Sequence, residues 1–125
     1  MKAALKSGIL ALVVILAIAI PADAGPLEDG LAAIERDDYE TALQLLEPLA
    51  DQGLAVAQYN LGVMYRDGQG VPRDFAAAYM WFTLAAAQGD EEAQKNRDSL
   101  VKRMTHGQIE EARLMAREWR AEHQR

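Results

Sequence analysis

No cysteine occurs anywhere in the 125 residues. Disulfides are therefore excluded as a stabilising device, as is a thiol-linked lipid anchor, and the fold must rest on an apolar core. Histidine is nearly absent too: His106 and His123 stand 17 residues apart, without metal-ligand spacing, and read as solvated helix residues. The only serines are Ser7 and Ser99, and no Gly-x-Ser-x-Gly context surrounds Ser99, so a serine nucleophile is not indicated. Basic residues are outnumbered, with 13 Lys and Arg against 19 Asp and Glu and a formal charge of −6. A nucleic-acid or anionic-membrane surface, which calls for a positive field, is disfavoured.

What is present begins with an address. Met1–Ser7 carries Lys2 and Lys6 and no acid, and residues 8–20 form an apolar run of 13, short of the roughly 20 that span a bilayer. Ala22 and Ala24 then supply the small residues expected before a cut at Gly25. The expectation is a signal peptide over 1–24, cleaved between Ala24 and Gly25, and one exported domain over 25–125, periplasmic or secreted and not inserted in the membrane. An uncleaved anchor is the alternative. Past the cut, 11 basic and 18 acidic side chains remain, a formal charge of −7. They are unevenly spread: residues 25–94 hold 3 basic and 13 acidic, residues 95–125 hold 8 and 5.

Shifting the chain by 36 residues aligns Asp38, Ala42, Ala50, Gln52, Gly53, Ala57, Gln58 and Asn60 with Asp74, Ala78, Ala86, Gln88, Gly89, Ala93, Gln94 and Asn96. Apolar spacing repeats as well. Tyr39, Ala42, Leu46 and Leu49 stand at i, i+3, i+7 and i+10, the stripe of a helix buried on one face. Phe75, Ala78, Phe82 and Ala85 copy that spacing, as do Ile109, Ala112, Ala116 and Trp119. A second template, i, i+4, i+7, fits Leu27, Leu31, Ile34, then Ala57, Leu61, Met64, then Ala93, Arg97, Leu100, where a charge replaces the middle residue. No strand signal intervenes. The predicted fold is all-α: an antiparallel stack of about three helix pairs, over 27–36 with 38–51, 54–66 with 74–88, and 91–104 with 106–122.

The breakers agree with these bounds. Gly53 and Gly89 can adopt the left-handed turn that ends a helix, and residues 67–72 form a turn that Pro72 closes. Asp74 can cap the next helix, and Thr105 with Gln108 makes a capping box. Acids at Asp37, Asp38, Asp90, Glu91 and Glu92 complement helix dipoles. Two residues oppose the pattern: Pro48, expected to kink its helix, and Gly62, costing about 1 kcal/mol relative to alanine. Close approach of Trp81 or Phe82 would account for that glycine.

Residues 54–89 carry a resemblance. Ala57-Gln58, Leu61-Gly62, Tyr65, Gly68-x-Gly70-Val71, Asp74, Ala78, Trp81, Ala85-Ala86 and Gln88-Gly89 resemble one complete Sel-one-like repeat (SLR), a relative of the tetratricopeptide repeats. Residues 38–53 are similar to the second half of a preceding repeat and residues from 90 onward to the first half of a following one. The last helix, 106–122, is similar to the amphipathic closing helix of such arrays. Some secreted members are stapled by disulfides, which this chain cannot form. The resemblance implies a non-enzymatic scaffold or adaptor that presents helices to another protein, with no cofactor, as a monomer or weak dimer.

Candidate contact residues lie off the buried stripes: Tyr59, Asn60, Arg66 and Met80, with Arg113, Arg117 and Arg120 as a cationic stripe on the last helix, opposite Ala112, Ala116 and Trp119. The bland reading of that stripe is a solvated face paired with Glu110 and Glu118. Gly68-Gln69-Gly70 follows a helix and lacks a lysine, so it reads as a turn and not a phosphate loop. Two other functions stay open: an envelope glycan or anionic-polymer binder, which needs polar and aromatic groups converging on one groove, and an accessory subunit of an envelope enzyme.

Overall fold

The computed structural model describes residues 25–124. The expected signal segment, with Ala24 on one side of its cut, lies outside them. Among the described residues six helices follow one another: α1 (Pro26–Glu35), α2 (Tyr39–Asp51), α3 (Ala55–Asp67), α4 (Phe75–Ala87), α5 (Glu91–Val101) and α6 (His106–His123). No strand occurs among the described residues.

Local chemistry sets the ends. Asp38, Asp74 and Asp90 each accept from the amide three residues on, at Thr41, Ala77 and Ala93, satisfying a donor that the first turn leaves unpaired. Thr105 and Gln108 form the complete capping box. Gly53 and Gly89 close α2 and α4 at φ 95° and 98°, and Asp37 occupies the matching place after α1 at φ 57°. Asp37 tolerates the left-handed region, and the Tyr39 hydroxyl donates to its carboxylate at 2.9 Å. Helix α5 stops at Val101, short of the predicted bound at 104, because Arg103 and Met104 turn their amides back onto Leu100 and Val101. Pro48 leaves α2 unbroken: it is exposed, and the helix runs on to Asp51.

Gly30 in α1 and Gly62 in α3 share one cause. A Cβ on Gly62 would stand 2.6 Å from two atoms of the Phe82 ring, and a Cβ on Gly30 would stand 2.7 Å from Leu46. Leu46 and Phe82 are equivalent under the 36-residue repeat, so each repeat seats one large side chain of its second helix on a glycine of its first. The offset between the glycines is 32, because three residues join α1 to α2 while seven join α3 to α4. The i, i+4, i+7 template aligned these helices with an offset of 30 and passed over Gly30. In α1 the fully buried positions are Gly30 and Ala33, while Leu27, Leu31 and Ile34 are half-buried beside them.

Helix α4 is the centre. Nine of its 13 residues are buried, which no single stripe can achieve. It packs against α3, α5 and α6. Helix α6 departs from the helix-hairpin pattern, lying along α4 and touching α5 only sparsely. The reason is compositional: α5 buries only Ala93 and Leu100, whereas α4 offers Tyr79, Met80, Trp81 and Leu84 to Ala112, Met115, Ala116 and Trp119. Met80, expected on the surface, is therefore in the core.

The repeats are also tied by hydrogen bonds. Gln58 is the buried polar side chain: its amide donates to the Ala50 carbonyl at 3.1 Å, and its oxygen accepts from Gln88 at 2.9 Å. Gln88 also donates to the Gly53 carbonyl at 2.8 Å. This ladder joins the ends of α2 and α4 to the start of α3.

Candidate partner-binding clefts

The predicted contact residues do not form one surface. On α3, the Asn60 amide donates back to the Val56 carbonyl at 2.8 Å, and Asn96, its repeat equivalent, does the same to Glu92 at 2.7 Å. The Arg66 guanidinium donates to the Asn96 side chain and holds Asp67 at 2.9 Å. Its hydrogen bond to Asp67 raises the arginine pKa and lowers that of the carboxyl. Tyr59 lies 5.9 Å from Phe82 between ring centroids. Tyr59 and Arg66 brace α3 against α4 and α5, Asn60 bonds within α3, and all three are half-buried. Tyr65, from the repeat fingerprint, is half-buried too; burial, then the negative charges of Glu47, Asp74 and Asp51, push its hydroxyl pKa up.

The α6 arginines divide. Arg113 is paired with Glu110 at 2.9 Å; the Tyr79 hydroxyl beside it, and then Glu110, raise its pKa. Arg117 is exposed and unpaired among the described residues, and no bridge to Glu118 forms there. Arg120 is half-buried in a cleft.

That first cleft, of about 250 Å³, opens where the ends of α2, α4 and α6 meet, lined by Gly53, Gln58, Leu84, Gln88, Trp119 and Arg120, with Ala87 and Gln124 at its margin. Trp119 is its aromatic wall. Trp81 approaches edge-on at 6.3 Å, and His123 stacks on the indole at 3.8 Å with an interplanar angle of 11°. The Trp119 indole N–H is buried and has no acceptor among the described residues, a deficit of about 1–3 kcal/mol. His123 Nδ1 lies 2.7 Å from the Trp119 carbonyl. The i, i+4 spacing of Trp119 and His123 was the sequence signal for this stack; reading His123 as merely solvated missed it.

A second cleft, of about 410 Å³, lies at the opposite end of α4, lined by Arg73, Asp74, Phe75, Arg103, Thr105 and Gln108. Thirteen residues of α4 separate the two by about 20 Å. Among the described residues, no group of three or more His, Asp or Glu is placed to hold a metal ion, and no helix is long and apolar enough to cross a membrane.

The model of the Sel1 repeat matches the chain twice, over residues 24–54 and 55–90, together more than half of its length. The chain belongs to the Sel1 repeat family. The first match takes in α1 and α2, the second α3 and α4, so each Sel1 repeat is one glycine-seated helix pair. Among solved structures, this Sel1 repeat protein is similar to a protective antigen of uropathogenic Escherichia coli displaying an SLR fold, at a TM-score of 0.72 and 29% identity over 77% of this chain. Among curated proteins it is 39% identical to chitin synthase regulatory factor 3 of Schizosaccharomyces pombe over 54% of this chain. It is also 40% identical to DAP3-binding cell death enhancer 1 of Rattus norvegicus over 41%, and 46% identical to an uncharacterized protein of Neisseria meningitidis over 42%. The matched region spans only 7–11% of these curated proteins and 22% of the antigen.

Proposed function

We propose that this Sel1 repeat protein is a non-enzymatic scaffold that holds another protein, exported to the cell envelope or beyond. The observation that carries this reading is the first cleft. There the two repeats and the closing helix bring an indole, a guanidinium and side-chain amides to one place, the mixture that dominates protein contact sites. The Gln58 and Gln88 ladder makes its floor rigid, so little order has to be created on binding. Two relatives are named for acting on other proteins, one as a regulatory factor and one for binding. A glycan platform would need an open indole face, and His123 already covers one face of Trp119.

Export is supported by the apolar run of 13 residues and by a repeat match that begins at Ala24. Intact mass of the protein recovered from the envelope tests it: a chain starting at Gly25 supports cleavage, and one retaining Met1 contradicts it.

Quantitative capture tests the scaffold. Tagged wild type and a doubly substituted Arg120→Glu, Gln124→Lys form, changed at one half-buried and one exposed cleft position, are compared for the proteins they retain from the envelope fraction. One protein enriched by wild type and depleted by the variant supports the reading. Equal retention by both forms, or none by either, contradicts it.

A further inference from the structure

The second cleft contains a charge arrangement that the scaffold reading does not use. Arg73 lies on the turn between α3 and α4, and Arg103 on the turn between α5 and α6, 30 residues apart in sequence. Both guanidiniums are placed over one ring: Arg73 Cζ is 5.0 Å and Arg103 Cζ 4.8 Å from the Phe75 centroid. Cation–π attraction to a common ring keeps two like charges in the lining of one open cleft.

Their backbones are anchored. The Asp74 amide, next to Arg73, donates to the Tyr65 carbonyl at 2.9 Å. A Cβ on Gly68 would stand 3.3 Å from Arg73 Cβ, so this turn is closely packed. The Arg103 amide donates to the Leu100 carbonyl at 2.9 Å. Neither guanidinium forms an ion pair with a described residue. The acids nearby are engaged elsewhere: Asp74 caps α4 through the Ala77 amide, and Asp67, which feels Arg103 electrostatically, is held by Arg66.

We infer that this cleft binds an acidic side chain, Asp or Glu, of a partner protein, its carboxylate shared between Arg73 and Arg103. The inference rests on the scaffold reading and names the chemistry of one contact within it. Guanidinium forks match a carboxylate bidentately, and their weak hydration lowers the cost of that exchange. Charge decides among anions. From Gly25 onward the chain carries 18 acids against 11 bases, a net negative field that repels a polyanion but admits one carboxylate against a local cationic pair.

The test is an NMR titration of the full chain with an acetylated, amidated hexapeptide carrying two glutamates, following the arginine Nε–Hε signals. The expected result is joint, saturable shifts of Arg73 and Arg103 with a dissociation constant of about 1 mM or below. Replacing both glutamates by glutamine should abolish them. Arg73→Gln or Arg103→Gln should weaken binding about tenfold, whereas Lys95→Gln on α5 leaves it unchanged. The inference is overturned by non-saturating shifts, by equal response of Arg117, or by equal binding of the glutamine peptide. Tighter binding of polyphosphate would assign the cleft to polyanions instead, and shifts that appear on concentrating the protein alone would assign it to a second copy. None of these outcomes touches partner capture through the first cleft, so the two readings fail separately.

Discussion

Gly62→Ala should destabilise this protein although alanine is the better helix former. In an open helix the change gains about 1 kcal/mol. Here the new Cβ would lie 2.6 Å from Phe82 Cδ1 and Cε1 and 3.1 Å from Cγ, against a normal carbon contact of about 3.5–4 Å. The ring must retreat by roughly 1 Å, and it is fully buried. Overpacking of this kind costs about 1–3 kcal/mol, leaving a net loss of about 1 kcal/mol after the propensity gain. Phe82→Leu alone should lose about 1–2 kcal/mol by leaving a cavity. In the double variant the added methyl occupies part of that cavity, so the combined loss should fall short of the sum of the two by about 1 kcal/mol or more. Urea unfolding followed by circular dichroism, with unchanged m values, measures all four corners of the cycle. A Gly62→Ala protein stabilised by about 1 kcal/mol, or strictly additive changes, would refute the packing argument.

Three further outcomes follow from the same geometry. Gln58→Glu should lose about 2–4 kcal/mol, because it buries a carboxylate facing the Ala50 carbonyl, whereas Gln58→Leu should lose under about 1 kcal/mol since the Gly53 amide still satisfies that carbonyl; urea midpoints at neutral pH separate them. Gly89→Ala meets no atom within 4 Å but sits at φ 98°, so it should cost about 1–2 kcal/mol by strain alone, and Gly89→Asn should cost less in the same unfolding assay. The Thr41 hydrogen bonds hold the Asp38 carboxyl below its ordinary value, and Arg66 does the same to Asp67. Stability from both is complete above the unfolded carboxyl value of about 3.9 and is lost as pH falls through the lower folded values. Asp38→Asn should thus flatten the fall in urea midpoint between about pH 5 and about pH 2; an unchanged slope would count against the cap.

Helices were legible in the sequence wherever one face was apolar and the ends carried breakers. Ala57, Leu61 and Met64 are buried as their spacing required, and the Thr105 box caps the start of α6 as written. Helix α4 was legible as a helix but not as the centre, because periodicity tells which face is covered and not how many neighbours cover it. Met80 was misplaced for that reason. Gly30 escaped because unequal turns shift the repeat offset from 36 to 32. The clefts were beyond reach of local pattern: Gly53, Gln88 and Arg120 belong to three different helix ends, and Arg73 and Arg103 share the Phe75 ring only because both turns fall at one end of the stack.

The central claim is that this protein works by holding a partner at the cleft beside Trp119. Photo-crosslinking side chains placed at Ala87 and at Gln124, compared with Glu40 on the exposed face of α2, test it in the intact cell. The account predicts one shared adduct mass from the two cleft positions and none from position 40. No adduct at either cleft position, or the same adduct from all three, would contradict it.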